Sequence, residues 1–445
     1  MGGGVGSGGG GGQGSDHSRT CACPVRRVVD GGEPDGADRS CRADGFSASA
    51  ASFALPTVSG AIGSSGAPPL TSLDGSDACY GGGTAEWSVI DMDGDTKPDF
   101  LLTRACTDGA IGSSRWDVYL NTGTGFSASG TSFALPTVPG ALGSSGGPPL
   151  TSLTGSDGCY GGGTAAWSVI DINGDTKPDL LLTQACSDGT IGLSRWEVYL
   201  NTRTGFSASA TSFALPTVPA AFGSSDRPPL TSLTGSDGCD GGGTAEWSVI
   251  DMNGDAKPDF LLTRACTDGT IGLSRWDVYL NTGAGFSASA TSFALPTVPG
   301  ALGSSGAPPL TSLVGSDACY GGGTAEWSVV DMDGDAKPDF LLTRACTDGT
   351  VGLSRWDVYL NTGTGFSASG TSFALPTVPG AVGSSGGPPL TSRDGADACS
   401  GGGMTEWSLI DMNGDTKPDF LLTRACTDST IGLSAWSFYP AQCGD

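Results

Sequence analysis

Five nine-residue acidic loops of the form Asp-x-Asp/Asn-Gly-Asp-x-Lys-Pro-Asp occupy residues 91–99, 171–179, 251–259, 331–339 and 411–419. Oxygen donors at loop positions 1, 3, 5 and 9, alternate residues around a tight turn, can converge on one centre. A hard cation that takes about six to eight oxygens suits such a set, and calcium is the natural occupant. The side-chain donors are Asp91, Asp93, Asp95 and Asp99; Asp171, Asn173, Asp175 and Asp179; Asp251, Asn253, Asp255 and Asp259; Asp331, Asp333, Asp335 and Asp339; and Asp411, Asn413, Asp415 and Asp419. The backbone carbonyls of Lys97, Lys177, Lys257, Lys337 and Lys417 complete each set at position 7, with the lysine side chains expected to point to water. Asparagine at position 3 of three loops keeps an oxygen and removes a charge. Crowded carboxylates without a counter-charge repel one another. Magnesium fits less well because it dehydrates reluctantly, and zinc is disfavoured by the lack of histidine and thiolate. The competing reading is an Asp-rich hairpin turn with no cation, since Asp and Gly are good turn formers.

The loops are spaced by 80 residues, and so is everything around them. From Gly45 the chain reads as five repeats, 45–124, 125–204, 205–284, 285–364 and 365–445, preceded by a Gly-rich stretch, 1–44, expected to be a disordered tether. The last repeat diverges most, as a capping unit would. Within the first copy, Ser52–Pro56 is a brief extended segment, and Gly60–Pro69 an irregular Gly/Ser/Pro loop. Trp87 and Val89 alternate with Ser88, Phe100–Thr103 is an apolar run of strand length, and Trp116, Val118 and Leu120 alternate with Asp117, Tyr119 and Asn121. No helical stripe of useful length is present. About four short strands per repeat predict an all-β fold, a β-propeller of five blades. Gly45-Phe46-Ser47 is the continuation that the last repeat lacks after Trp436–Tyr439, so a strand borrowed from the opposite terminus is expected to close the ring. An open row of β-modules is the alternative.

The loop core, followed by Trp-Asp-Val-Tyr-Leu-Asn-Thr-Gly-x-Gly-Phe, resembles the FG-GAP/VCBS repeat of bacterial exported proteins and integrin α-subunit heads, over essentially all of residues 45–440. The resemblance implies a propeller with a calcium ion in a hairpin loop of each blade, and Asp91, Asp93, Asp95, the Lys97 carbonyl and Asp99 match its ligand pattern. One departure stands out. Where the family usually has glycine at the sixth loop position, this chain has Thr96, Thr176, Ala256, Ala336 and Thr416. If that position requires positive φ, a side chain there costs energy.

Each repeat carries two cysteines 27 apart, from Cys79 and Cys106 to Cys399 and Cys426. A hairpin tip near Asp95 sets Cys106 opposite Gly83 or Thr84, and Gly81–Gly83 lets Cys79 fold back to meet it, an expected disulfide worth about 3.5 kcal/mol in the loop-entropy model. Cys443 is matched with Cys41 as a further tie, with Cys21 and Cys23 leaving other pairings open. Fourteen cysteines point to an oxidising compartment, although no signal peptide is visible after Met1. A secreted or cell-surface location is therefore expected, with the true start upstream or an unusual export route.

Charge and composition exclude several functions. A net charge of −25, with 17 of 46 acidic residues inside the five loops, disfavours nucleic acid and anionic membranes as partners and favours metal ions. No run approaches the length of a membrane span. The single histidine, His17, lies in the tether, so no histidine-based catalytic group can be built in the repeats. Glu86, recurring as Glu246, Glu326 and Glu406 but replaced by Ala166, reads as a strand-edge charge. The expected function is a non-enzymatic, calcium-binding extracellular module that binds a surface glycan or a protein through repeated sites. A purely structural surface spacer is the alternative, and a hydrolase of polysaccharides or phosphoesters built on the same scaffold a third. Tyr80, Tyr160 and Tyr320 offer sugar-stacking rings, but Asp240 and Ser400 break that pattern.

Overall fold

The structure, a computed structural model, describes residues 43–58, 69–79, 82–138, 149–159, 162–218, 229–239, 242–298, 309–319, 322–378, 389–399 and 402–443. The Gly-rich tail before residue 43, most of the Gly60–Pro69 loop, the Cys41–Cys443 pairing and Tyr80, Tyr160 and Tyr320 lie outside these residues. The described chain is all β, with strands beginning at β1 (Ala43–Phe46) and β2 (Ala51–Ala54). One sheet follows in the order β3 (Gly75–Ala78), β4 (Thr84–Ile90), β5 (Asp99–Arg104), β6 (Arg115–Tyr119) and β7 (Thr131–Ala134), antiparallel throughout. The sheet thus spans 75–134 and straddles the boundary at 124/125 drawn from the sequence. It has five strands rather than about four. The additional one, β3, has no apolar alternation to announce it and lies largely exposed.

The central strand explains how sheets assemble. Along β5, Asp99 to Thr103 are all buried, because a strand covered on both faces needs apolar residues without alternation. Its alternate side chains serve different neighbours. Phe100 and Leu102 join Met412, Leu421 and Trp436 of the last sheet, whereas Leu101 joins Trp167, Leu180 and Leu182 of the next. Five such apolar clusters are shared in this way between successive sheets. The result is a propeller-like arrangement of small sheets.

The sheets are not five alike, as the repeats suggest. Four have five strands and one has seven. In the seven-stranded sheet, Thr371–Ala374 meets β1 in parallel at Gly45↔Ala374, and β1 pairs in turn with Ala441–Cys443. The other seams carry only an isolated parallel bridge at the same place, such as Ala54↔Gly125 and Ala134↔Gly205. Glycine is required at these contacts: a Cβ on Gly125 would lie 2.7 Å from that of Ala54 and 2.8 Å from its carbonyl oxygen. β1 also includes Ala43 and Asp44, expected from the sequence to belong to the tether.

The sheet formed by the strands of 395–439 is completed by β2, with Phe53 opposite Trp436. A strand from the start of the repeats is thus borrowed, as expected, but it is β2; Gly45 and Phe46, the residues that pointed to it, pair instead in the seven-stranded sheet. Trp436 is fully buried and its indole donates to the Leu70 carbonyl at 2.7 Å, as Trp116 does to Leu150. One local expectation fails at the end of β6. Tyr119 and Asn121 are buried and Leu120 is exposed, because the strand ends at Tyr119 and Asn121 turns inward to bind backbone.

Disulfides join Cys79–Cys106, Cys159–Cys186, Cys239–Cys266, Cys319–Cys346 and Cys399–Cys426, as the hairpin geometry predicts. They suggest an oxidising, extracellular environment. Among the described residues no helix is long and apolar enough to cross a membrane.

Trp436→Ala should destabilise the protein by about 3 to 5 kcal/mol, since it empties a fully buried site that joins the two ends of the chain. The denaturant midpoint measures this, and an unchanged midpoint would contradict the role given to that seam.

Candidate metal centre

Each acidic loop connects two neighbouring strands of a sheet, β4 and β5 in the first, and its conformation is set by its own side chains. Asp91 Oδ1 accepts the N–H groups of Gly94 at 2.7 Å and Asp95 at 3.2 Å, and its Oδ2 that of Thr96 at 2.7 Å. Asp93 Oδ1 accepts Asp95 N–H, and Asp95 Oδ1 accepts Lys97 N–H. The pattern of position 1 toward residues 4 and 6 recurs at Asp171, Asp251, Asp331 and Asp411. Asn173, Asn253 and Asn413 accept the N–H groups of Asp175, Asp255 and Asp415 with their amide oxygens, as the aspartates at position 3 do. Carboxylate oxygens of Asp91, Asp93 and Asp95 lie within 4.8 Å of one another, and so do those of Asp331, Asp333 and Asp335.

Position 9 stands apart. Asp99 is buried and uses both oxygens on backbone: Oδ1 accepts Asn121 N–H at 2.8 Å and Oδ2 accepts Met92 N–H at 3.0 Å. Asp259 and Asp339 repeat this with Asn281 and Met252, and with Asn361 and Met332. Asp419 does so with Ala441 and Met412. Asp179 is the exception. Its Oδ1 accepts Asn201 N–H, but its buried Oδ2 has no hydrogen-bond partner.

The lysines do not point to water as expected. Lys97 pairs with Asp95 at 3.1 Å, Lys177 with Asp175 at 2.9 Å and Lys337 with Asp335 at 2.7 Å, while Lys257 is 3.9 Å from Asp255 and Lys417 is buried. The carboxylate at position 5 draws the ammonium back in the first four loops, and a neighbouring loop gives the stem its place. Gly94 lies against Lys177, Gly174 against Lys257, Gly254 against Lys337, Gly334 against Lys417 and Gly414 against Lys97. The five loops therefore touch in succession, first to fifth and fifth to first. Thr176 and Thr416 hydroxyls donate to the carbonyls of Gly94 and Gly334 across these contacts, and Thr96 to that of Gly414.

Residues missed in the sequence include the asparagine after β6. Asn121 Nδ2 donates to the carbonyl of Pro98 in its own loop and of Met412 in the neighbouring one, a pattern repeated by Asn201, Asn281 and Asn361. Its recurrence every 80 residues is the only sequence signal, and a turn explains that equally well. Glu86, Glu246, Glu326 and Glu406 form cross-strand pairs with Arg104, Arg264, Arg344 and Arg424. In the second copy both partners are neutral, with Ala166 opposite Gln184.

The electrostatics follow from burial. Removal from water, followed by the neighbouring carboxylates, pushes Asp99 and Asp179 up to about 7, Asp259 to about 6, and Asp339 and Asp419 to about 8, against the hydrogen bonds that favour ionisation. Burial also raises Asp331, to about 7, and it raises Asp91, Asp171, Asp251 and Asp411. Half-buried carboxylates of raised pKa and an orphan anionic oxygen are a donor set of the kind a hard cation satisfies. The side chains that fit one are those at positions 1, 3 and 5, beside the carboxylate at position 9.

No protein-family model and no curated protein matches the chain. Among solved structures, a Photorhabdus luminescens Tc holotoxin pore is similar with a TM-score of 0.38 at 15% identity, over 79% of this chain and 11% of that one. A TcdB2-TccC3-Cdc42 structure has a TM-score of 0.33 at 12% identity, over 79% and 14%. The chain spans only a small part of these much longer chains, and likenesses this weak carry no argument about function.

Two predictions follow from the loop geometry. The sixth position does adopt positive φ, from 68° at Ala256 to 73° at Thr96. An L-residue pays roughly 1 to 2 kcal/mol there, partly offset by the greater chain entropy of unfolded glycine. Ala256→Gly should thus stabilise by about 0.5 to 1 kcal/mol in denaturant titration; a loss would contradict the strain. The second prediction concerns pH. A raised carboxylate pKa favours the protonated folded form, so this contribution is complete below about pH 4 and is lost as pH rises through about 6 to 8. In chelator the melting temperature should decline over that window, and excess calcium should flatten the decline.

Proposed function

We propose that this chain is a calcium-stabilised β-propeller of the FG-GAP/VCBS type, five blades closed into a ring, that acts outside the cell as a non-enzymatic binding or adhesion module. The observation that carries the reading is the convergence of three carboxylates at Asp91, Asp93 and Asp95, and again at Asp331, Asp333 and Asp335, in loops held at the same place in every sheet. Calcium, when bound, supplies the counter-charge that lets these aspartates and their buried neighbours ionise together. The protein's own part is orientation: the backbone N–H groups fix each carboxylate before the ion arrives, which lowers the ordering cost of binding. The five disulfides agree with an extracellular setting. The module reading is favoured over catalysis because no histidine lies within the repeats and the repeated acids are held by backbone, arginine or lysine.

Calorimetric titration of calcium into chelator-treated protein tests the cation directly. The expected stoichiometry is about five, in two classes: the loops of Asp93 and Asp333 bind more tightly than those with Asn173, Asn253 and Asn413, since each lost charge weakens the site. No heat and no bound calcium would overturn the reading. Asp91→Asn should remove one of the tighter sites.

A further inference from the structure

The turn after the fourth strand of each sheet holds glycine at positive φ in three copies: Gly123, Gly283 and Gly363, at 85° to 87°. The second copy has Arg203 there, at 73°. Its backbone N–H donates to the Asn201 side chain just as the glycines' do to theirs, so the turn is unchanged and only the side chain and its strain are added. Among the described residues every other arginine is in an ion pair, and Arg203 is in none.

Arg203 instead walls a surface cleft of about 230 Å³ between the first and second sheets, with Asp93, Leu120, Thr131, Ser132 and Phe133. The corresponding cleft beside Asp333, with Thr371 and Ser372, measures about 10 Å³. At the other three seams the corresponding positions are Asn173, Asn253 or Asn413 in place of the aspartate and glycine in place of the arginine. Among the described residues this cleft combines a carboxylate, an uncommitted guanidinium, two hydroxyls and an apolar floor. The two charged groups make no ion pair with each other; Asp93 Oδ1 already accepts the Asp95 N–H, and the guanidinium of Arg203 is the group left to a ligand.

The mixed lining selects the ligand class. A net anion meets Asp93 and a chain of charge −25, and a net cation meets Arg203. A neutral molecule with hydroxyls on one side and C–H groups on the other satisfies every wall, because carboxylate and guanidinium both present paired polar atoms to vicinal hydroxyls. The volume is below the usual range for drug-sized ligands, about 300 to 1,000 Å³, and suits a single ring. We infer that the Arg203 cleft binds one neutral sugar residue, once per chain. The inference rests on the reading of the chain as a binding module and shares Asp93 with the proposed cation site.

The test is titration of the full chain with neutral methyl glycosides of glucose, galactose, mannose and fucose, and with matching disaccharides, by calorimetry and saturation-transfer NMR. At least one glycoside should bind at one site per chain. Arg203→Gly, which installs the residue of the other copies and relieves strain, should weaken that binding by about tenfold or more while the melting temperature stays level or rises. Disaccharide binding would assign the site to a glycan end, and its absence beside monosaccharide binding to a free sugar; both support the cleft. The inference is overturned if no glycoside binds, if Arg203→Gly binds equally well, if several equivalent sites appear, or if glycine betaine binds in their place. Calcium measured on the same samples separates the two readings: glycoside binding without calcium binding sinks only the cation.

Discussion

One buried carboxylate per sheet holds together the hairpin, the sheet and the seam. Asp99 closes its own loop through Met92 N–H and fixes the end of β6 through Asn121 N–H. The amide of Asn121 then reaches the carbonyl of Met412 in the neighbouring loop. A charge in this place is expensive, since burial pushes it toward neutrality. Yet it accepts two hydrogen bonds that no neutral side chain of the same size would accept as strongly. The acidic residues at positions 1 and 3 raise that cost further. This is the physical reason for expecting a cation at the loops, and the ammonium of Lys97, placed on Asp95 at the outer side, supplies only part of the counter-charge.

The apolar framework makes such a tie possible. Because β5 sends alternate residues to the sheets before and after it, each seam is a core of its own, and each loop is held against the next by the same packing. Trp116, Trp196, Trp276, Trp356 and Trp436 are fully buried and satisfy their indole N–H groups across the seam, so neither aromatic burial nor hydrogen bonding is sacrificed. Chain ends are treated as one more seam, with β2 taking the place that β7 holds in the first sheet.

Strong local patterns made much of this legible in the sequence. The strands around Trp87, Phe100 and Trp116, the closing strand, the five disulfides and the strain at Thr96 all follow from alternation, spacing or a missing glycine. The exposed strand Gly75–Ala78 carries no apolar residue to reveal it, so the sheet frame came out displaced. Asn121 was indistinguishable from an ordinary turn residue because its partner, the Met412 carbonyl, is 291 positions away. The lysine positions are not legible for a similar reason: what receives their stems is a glycine of another loop. Arg203 shows no sign of a role until the ion pairs of the other arginines are known.

A crystal structure of the protein grown with calcium tests the central claim most directly. The account predicts an anomalous density peak among Asp91, Asp93 and Asp95, with oxygen distances of about 2.3 to 2.6 Å, and a like peak at Asp331, Asp333 and Asp335. Well-ordered loops with only water or the lysine ammonium at those positions would contradict it.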